Sequence, residues 1–441
     1  MNKALKNIFN NIDYTLYMNH LLVIYAFLIP ISNRAKSSIF ILIILLFFIR
    51  GKYIYYLKES FSNKIVQAFL LFFLVHIIWL LGSNDLDRGL SVIDEMKYLI
   101  FPLVFFSFVD KQFSMKIIYG FIFGMLYSEI LAYFIYFDIL PNKLILFGFE
   151  IYETQALNNP TPFLDHSRYN VLISISVAIL LYNMFNDIKF NYTKLLSFIF
   201  IITAGINMTI IGGRIGYVVF VCLILFVMIL RFRNHLFKVF SFSMFFISIL
   251  FIFAYNNSQI FKERMIETVH SFNKLNEDEN RFNSSAGLRL GFWINSIEVI
   301  KDEIIFGVGT GDETESVRKV INEKDKYIKG ISHPHNEYLK NLLQFGLIGF
   351  LFFLNIFYQI LKSESESIKL KHIGLVVTFG ISIAILTSIM GSGIYLPLWV
   401  TVLAACFSGK EYLVKKYSFN IKTFIVYFVV IFISLIGSVL Q

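Results

Sequence analysis

The sequence predicts an all-α polytopic membrane protein of about 12–13 transmembrane helices with one large loop on its outer face, counting roughly 20 apolar residues per crossing. Three observations carry this. Of 441 residues, 57% are hydrophobic and 16% charged, whereas soluble domains carry nearer a quarter charged. Apolar runs of helix length recur from end to end. Basic residues gather in alternate loops, the pattern that marks cytoplasmic segments. Phe (51) and Tyr (24) are abundant, as where rings pack against lipid and anchor at the interface.

In order, spans are expected near 17–33, 37–50, 64–82, 92–109, 115–137, 167–184, 194–211, 215–231, 236–255, 338–361, 370–390, 393–409 and 422–440. The second is short, and the pair across 370–409 is parted only by Met390-Gly391-Ser392-Gly393. Arg50, Lys52 and Lys58; Arg231, Arg233 and Lys238; Lys369 and Lys371; and Lys410, Lys415 and Lys416 mark loops that should be cytoplasmic. The N-terminus is then cytoplasmic too, and only Arg34 and Lys36 fall on the wrong side. Met1 to Tyr17 is polar and basic with no small-residue cleavage site, so no cleavable signal is expected. These loops account for most of the net charge of +9, which therefore does not indicate nucleic-acid binding. Cys222 and Cys406 both fall in apolar runs, which argues against a structural disulfide or a thiolate metal site.

Three units follow: an N-terminal transmembrane bundle of about nine spans (1–255), a large outer loop with surface helices (256–336), and C-terminal transmembrane helices (337–441). A shorter outer loop, about Asp138 to Ser167, holds Pro141, Pro160 and Pro162 and ends in Asp165-His166. In the large loop Trp293, Ile294, Ile297, Val299, Ile300, Ile304, Ile305 and Phe306 read as one side of a surface helix. Gly307-Val308-Gly309-Thr310-Gly311 then reads as a turn. Gly-x-Gly-x-Gly with no preceding strand and no following Lys is weak evidence for a phosphate loop. A loop of this size in a compact protein is usually functional.

Polar residues at membrane depth need a reason to be there. Gly212-Gly213-Arg214-Ile215-Gly216 opens the eighth span, and Ser332-His333-Pro334-His335-Asn336 leads into the tenth. With Arg289 in the large loop, two arginines and a histidine share the outer face. Guanidinium matches phosphate oxygens in a planar fork, and two arginines can neutralise a departing pyrophosphate without a metal. A neutral histidine suits removal of a proton from a sugar hydroxyl. Arg214 could instead be a snorkelling anchor, but glycines on both sides favour close backbone approach. Arg289 alone would be an ordinary loop arginine. His333 and His335 compete, with Pro334 bending the chain between them.

Substrate-binding candidates beside these are Asn336, Lys97, His166 and His333. The plain alternative for Lys97 is an interfacial lysine paired with Asp94 or Glu95. Asp85 and Asp87 could hold a divalent ion, but a short exposed acidic turn followed by Arg88 is the commoner explanation. No metal and no cofactor are expected. His76, Glu129 and Asn207 either line a cavity or pair between helices.

The order of motifs resembles the O-antigen ligase and polymerase superfamily of bacterial inner membranes. The motifs are Gly-Gly-Arg-x-Gly at a span start, Gly287-Leu288-Arg289-Leu290-Gly291-Phe292-Trp293 and then Phe306-Gly307-Val308-Gly309 in a long outer loop, and His335-Asn336-x-x-Leu339 entering a span with Gly346 and Gly349. The match covers roughly Gly205 to Phe353. The resemblance implies a helical bundle with a large periplasmic loop. It also implies a metal-independent glycosyltransferase that moves a glycan from undecaprenyl pyrophosphate to the lipid A-core oligosaccharide on the periplasmic side of the inner membrane. Carried over residue by residue, it puts Arg214 and Arg289 on the pyrophosphate and His335 on the acceptor hydroxyl. Arg289 sits four before Trp293, as in the family's Arg-x-x-x-Trp pattern, whereas His333 has no counterpart. The polymerase branch differs in its acceptor, a second lipid-linked repeat, and the His-Asn-x-x-Leu form leans towards a ligase. A transporter of lipid-linked sugars is the rival from another class, and it predicts repeats or broken helices in matched halves.

Overall fold

The computed structural model describes residues 13–146, 149–154, 159–186, 191–275, 281–413 and 420–439; Lys415 and Lys416 lie outside them. The helices in chain order are α1 (Tyr14–Leu28), α2 (Asn33–Ile49), α3 (Tyr53–Phe61), α4 (Lys64–Trp79), α5 (Leu86–Glu95), α6 (Phe101–Phe105) and α7 (Ser114–Tyr136). After a short hairpin come α8 (His166–Asn186), α9 (Tyr192–Ile210), α10 (Arg214–Phe232), α11 (Leu236–Asn257), α12 (Gln259–Lys274), α13 (Ser285–Asp302) and α14 (Glu313–Val320). The last four are α15 (Glu337–Lys362), α16 (Ile368–Ala384), α17 (Tyr395–Phe407) and α18 (Ile421–Val439). The protein is all-α and polytopic. Among the described residues six helices are long and apolar enough to cross a membrane, and two bent pairs bring this to eight. Shorter apolar helices at 14–28, 395–407 and 421–435 add to them.

Burial sorts the helices by position. Every residue of α17 is buried, and α8 is enclosed along most of its length, packed by α9, α10 and α16. These are the centre of the bundle. By contrast α18 exposes Phe424, Ile425, Phe428 and Phe432, and α11 exposes Phe251, Ile252 and Phe253. A continuous apolar surface of this kind is lipid-facing.

Four expectations are revised. The span near 92–109 is not one helix: α5 ends at Glu95, a 3-10 turn covers Lys97–Ile100, and α6 restarts with Pro102 in its first turn. Proline lacks the amide that a continuing helix needs. The outer loop after α7 holds an antiparallel hairpin, β1 (Lys143–Leu146) with β2 (Phe149–Glu153), with Lys143 bridging Glu150 and Glu153. The supposed surface helix is α13, which ends at Asp302. Its buried side is Phe292, Ser296 and Val299, while Ile294 and Ile297 are exposed. Finally, Lys36 is not a stray charge: it is fully buried and its ammonium donates to Asn33 Oδ1 (2.8 Å) and to the Gly393 carbonyl, tying α2 to the turn before α17.

The large loop builds a small core of its own from Phe282, Phe292, Val299, Val317, Ile321 and Ile328, sealed by Leu343 of α15. It also enters α15. That helix breaks at Gly346 (φ 58°, ψ −163°). The Leu343 and Gln344 carbonyls accept from the amides of Val308 (2.9 Å) and Gly309 (3.0 Å). Beyond the break, the amides of Leu347 and Ile348 donate to the carbonyls of Ile304 and Ile305. Every polar group freed by a break at membrane depth needs such a partner. A Cβ on Gly346 would lie 2.3 Å from the Ile305 carbonyl oxygen, so only glycine fits.

Candidate active site

The start of α10 is set by contact between backbones. A Cβ on Gly213 would fall 2.5 Å from the His166 carbonyl oxygen, and one on Gly216 2.1 Å from Asn170 Cβ. Asn170 Nδ2 donates to the Ile211 carbonyl (2.9 Å), locking the entry to α10 against the first turn of α8. Glycine is therefore required where α10 crosses α8, and Arg214, the first residue of α10, is delivered beside His166. On the other side of Gly212 lies Arg264 of α12, whose Nε would sit 2.7 Å from a Cβ there. The charges of Arg264 and Arg214 both act on the His166 imidazole.

Arg289 stands in the second turn of α13, which Ser284 opens by accepting the Gly287 amide (3.0 Å). Burial, and then the charge of Arg214, pull its guanidinium below its ordinary pKa. Neither Arg214 nor Arg289 has an ion pair or hydrogen bond among the described residues. Two like charges within electrostatic reach disfavour each other until an anion arrives.

One turn beyond Arg289, on the same face of α13, Trp293 donates its indole N–H to the Pro334 carbonyl at 2.7 Å. The Arg-x-x-x-Trp spacing thus has a physical meaning: the arginine turn is fastened to the chain just before His335. His335 itself is left-handed (φ 50°), and its amide donates to His333 Nδ1 (3.3 Å), the two rings lying 3.8 Å apart. Asn336 then caps α15, its Oδ1 accepting the Leu339 amide (3.1 Å). Burial lowers the pKa of His335 to about 4, with the Arg289 charge adding to the effect. His333 is lowered to about 4 as well, by burial first and then by His335, Lys340, Arg289 and Arg88. Both imidazoles are neutral at pH 7.

Of the residues singled out in the sequence, electrostatic reach links His166 to Arg214, Arg214 to Arg289, and Arg289 to His333 and His335, with Asn336 next in the chain. Lys97 does not: its ammonium is held by both oxygens of Asp94 at 3.0 Å on a half-exposed turn. Asp85 is a helix cap that accepts the Arg88 amide (2.9 Å), and the amides of Asn84 and Asp85 are gathered by Asp312. The glycines at 307, 309 and 311 are spent on close packing against α15, the Gly82–Ser83 backbone and α5 respectively. The sequence reading missed Arg264 and the buried polar stripe of α15. That stripe is Glu337, Lys340, Asn341 and Gln344, four residues recurring at helical spacing in an otherwise apolar run, all 0–1% exposed. The recurrence was a signal available in the sequence.

Against known proteins, residues 196–354 match the family model described as O-antigen ligase. An uncharacterised protein of Haemophilus influenzae is 25% identical over 339 residues, covering 71% of this chain and 77% of that protein. The matched segment runs from α9 to the middle of α15 and so contains Arg214, Arg264, Arg289, Trp293, His333 and His335.

Proposed function

We propose that this protein, whose residues 196–354 belong to the O-antigen ligase superfamily, transfers a glycan from undecaprenyl pyrophosphate to a sugar hydroxyl of the lipid A-core oligosaccharide on the periplasmic face of the inner membrane. The observation that carries this reading is the unpaired couple Arg214 and Arg289 beside a neutral His335. In the reaction the acceptor oxygen bonds to the anomeric carbon while the bond from that carbon to the pyrophosphate oxygen breaks. The hydroxyl proton goes to His335, and the electron pair leaves on the pyrophosphate. Arg214 and Arg289, which have no ion-pair partner among the described residues, receive that charge. His166 and Arg264 flank the same anion.

The electrostatics also couple the two substrates. An imidazole with a pKa of about 4 is a poor base, and the Arg289 charge is part of the cause. Pyrophosphate bound on Arg289 offsets that charge and raises the imidazole towards its usual value. The base therefore strengthens when the donor is in place.

The test is transfer by purified protein in detergent from lipid-linked glycan to lipid A-core. Arg214→Ala, Arg289→Ala and His335→Ala should each lose on the order of 100-fold or more, as when an oxyanion donor or general base is removed. Arg→Lys at either position should also be impaired, because an ammonium lacks the planar fork. Intact glycan attachment in cells that insert these variants normally would overturn the assignment. In a deletion strain, loss of all long chains from the core with accumulation of lipid-linked polymer identifies a ligase, and a single capped repeat a polymerase.

A further inference from the structure

We propose that a second, independent site lies at the opposite end of α10, where the ends of α8 and α10 and the start of α16 enclose a cleft that binds the phosphate of an anionic lipid headgroup. The cleft has a volume of about 670 Å³, within the usual range for small-ligand pockets. Its polar lining includes Arg231, Arg233, His235, His372, Asn186 and Tyr182, and no acidic residue lines it among the described residues. Arg214 and Arg231 stand at the two ends of one helix, seventeen residues or about 26 Å apart. That is close to the thickness of the hydrocarbon core, so the cleft and the candidate active site open on opposite membrane surfaces.

Four features make this more than a basic loop. Four other arginines of the described residues are neutralised: Arg88 by Glu95, Arg168 by Asp165, Arg264 by Glu267 and Arg318 by Glu315. Arg231 and Arg233 have no ion-pair partner among the described residues, yet they converge on one cleft. The cations are also oriented. Arg231 Nε donates to the Phe185 carbonyl (3.1 Å) at the end of α8, which fixes the guanidinium and leaves its terminal nitrogens. The Tyr182 hydroxyl meets His372 Nδ1 at 2.8 Å. With the phenol as donor, the ring proton of His372 sits on Nε2, a donor for a phosphate oxygen. Lastly, Ile229 and Ile368, both largely exposed, line the same cleft. A cationic pocket bordered by apolar, lipid-facing side chains matches a phosphodiester headgroup with its acyl chains alongside. A freely soluble phosphate would share the charge but gain nothing from that border.

The experiment is native mass spectrometry of the purified full-length protein in neutral detergent, titrated separately with phosphatidylglycerol, phosphatidylcholine and inorganic phosphate. Phosphatidylglycerol should be retained in preference to phosphatidylcholine. Its affinity should fall on the order of 10–30-fold in Arg231→Gln/Arg233→Gln, from the loss of two near-surface charges. Lys238→Gln, an exposed charge on the next helix outside the cleft, should leave it unchanged. If the double variant cannot be purified, Arg233→Gln alone should weaken binding roughly 3–5-fold. Equal retention of the two lipids, an unaltered arginine variant, or an equal loss in Lys238→Gln would each overturn the proposal. Displacement of phosphatidylglycerol by inorganic phosphate at equal concentration would reassign the cleft to a soluble anion and overturn it too. None of these outcomes depends on transfer activity.

Discussion

Replacing Trp293 with phenylalanine isolates the bond between the arginine helix and the histidine loop. The indole donates to the Pro334 carbonyl at 2.7 Å, and Pro334 is buried. Trp293→Phe keeps an aromatic ring and removes the donor. A typical hydrogen bond is worth about 0.5–1.5 kcal/mol net, and a buried carbonyl left without a partner costs about 1–3 kcal/mol. The loss falls on the peptide joining Pro334 to His335, so it is expressed in the placement of the base relative to Arg289. A misplacement cost of about 1.4 kcal/mol at the transition state is a factor of about 10 in rate. The expected result is a roughly 10-fold lower kcat with KM for the lipid-linked donor little changed, because Arg214 and Arg289 remain to hold it. Initial-rate kinetics on purified protein with lipid-linked glycan and core acceptor measure both. If the tryptophan were instead a stacking platform for a sugar, phenylalanine would retain most of the activity. A wild-type kcat, or a change confined to KM, refutes the tether.

His333→Leu removes the acceptor that holds the His335 amide in its left-handed conformation, which costs a non-glycine residue about 1–2 kcal/mol to adopt; kcat should drop roughly 5–20-fold with donor KM retained, and wild-type kinetics would return His333 to the status of a bystander. Gly346→Ala forces a side chain into the Ile305 backbone at a glycine-only conformation; on the order of 3 kcal/mol or more of destabilisation should show as earlier thermal inactivation in detergent, and an unaltered midpoint would contradict the break in α15. The pH profile follows from His335 and His333. Their folded pKa values of about 4 lie below the ordinary 6.5, so between about pH 6.5 and 4 the unfolded chain binds more protons than the folded one. Their neutral forms stabilise the fold fully above about pH 6.5, and that contribution is lost as pH falls to about 4. The acid limb of kcat/KM should accordingly lie near pH 4, and a limb near 6.5 would show an imidazole in ordinary solvent.

Much of the bundle was legible because a span announces itself as an apolar run, independently of its neighbours. What was illegible depends on partners distant in sequence. The break at Gly346 is stabilised by residues 304–309, some forty positions earlier, and nothing within 338–361 records that exchange of backbone bonds. The glycines at 307 and 309 were read as a turn; the structure shows why the turn must be glycine-rich, since Gly307 packs directly on the opened helix and Gly309 on the Gly82–Ser83 backbone. Lys36 looked like a topological anomaly because its partner, the Gly393 carbonyl, lies at the far end of the chain. In the site, Arg214 was legible from its glycine neighbours, and Arg289 from its spacing to Trp293. Arg264 was not: α12 is amphipathic and charged, so one cation among several charged residues carries no local mark of its contact with Gly212.

The buried stripe of α15 explains how a break and a catalytic loop can coexist on one helix. Breaking a helix at membrane depth weakens its own ladder, so the half bearing His335 needs external anchors. They come from two directions. The Glu337 amide donates to the Ile385 carbonyl (2.9 Å) and its carboxylate accepts the Met390 amide (2.8 Å), fixing the helix start to the segment before α17. Gln344 Nε2 donates to Glu313 Oε2 (2.6 Å), fixing the last turn before the break to α14. Between them Asn341 Nδ2 donates to Glu337 Oε1 (3.2 Å) along the helix itself. The histidine mouth is therefore positioned by the transmembrane centre on one side and by the large loop on the other, through Trp293 and Glu313. A displacement of the large loop relative to α17 would strain both sets of bonds at once, so the loop and the bundle move the base together or not at all.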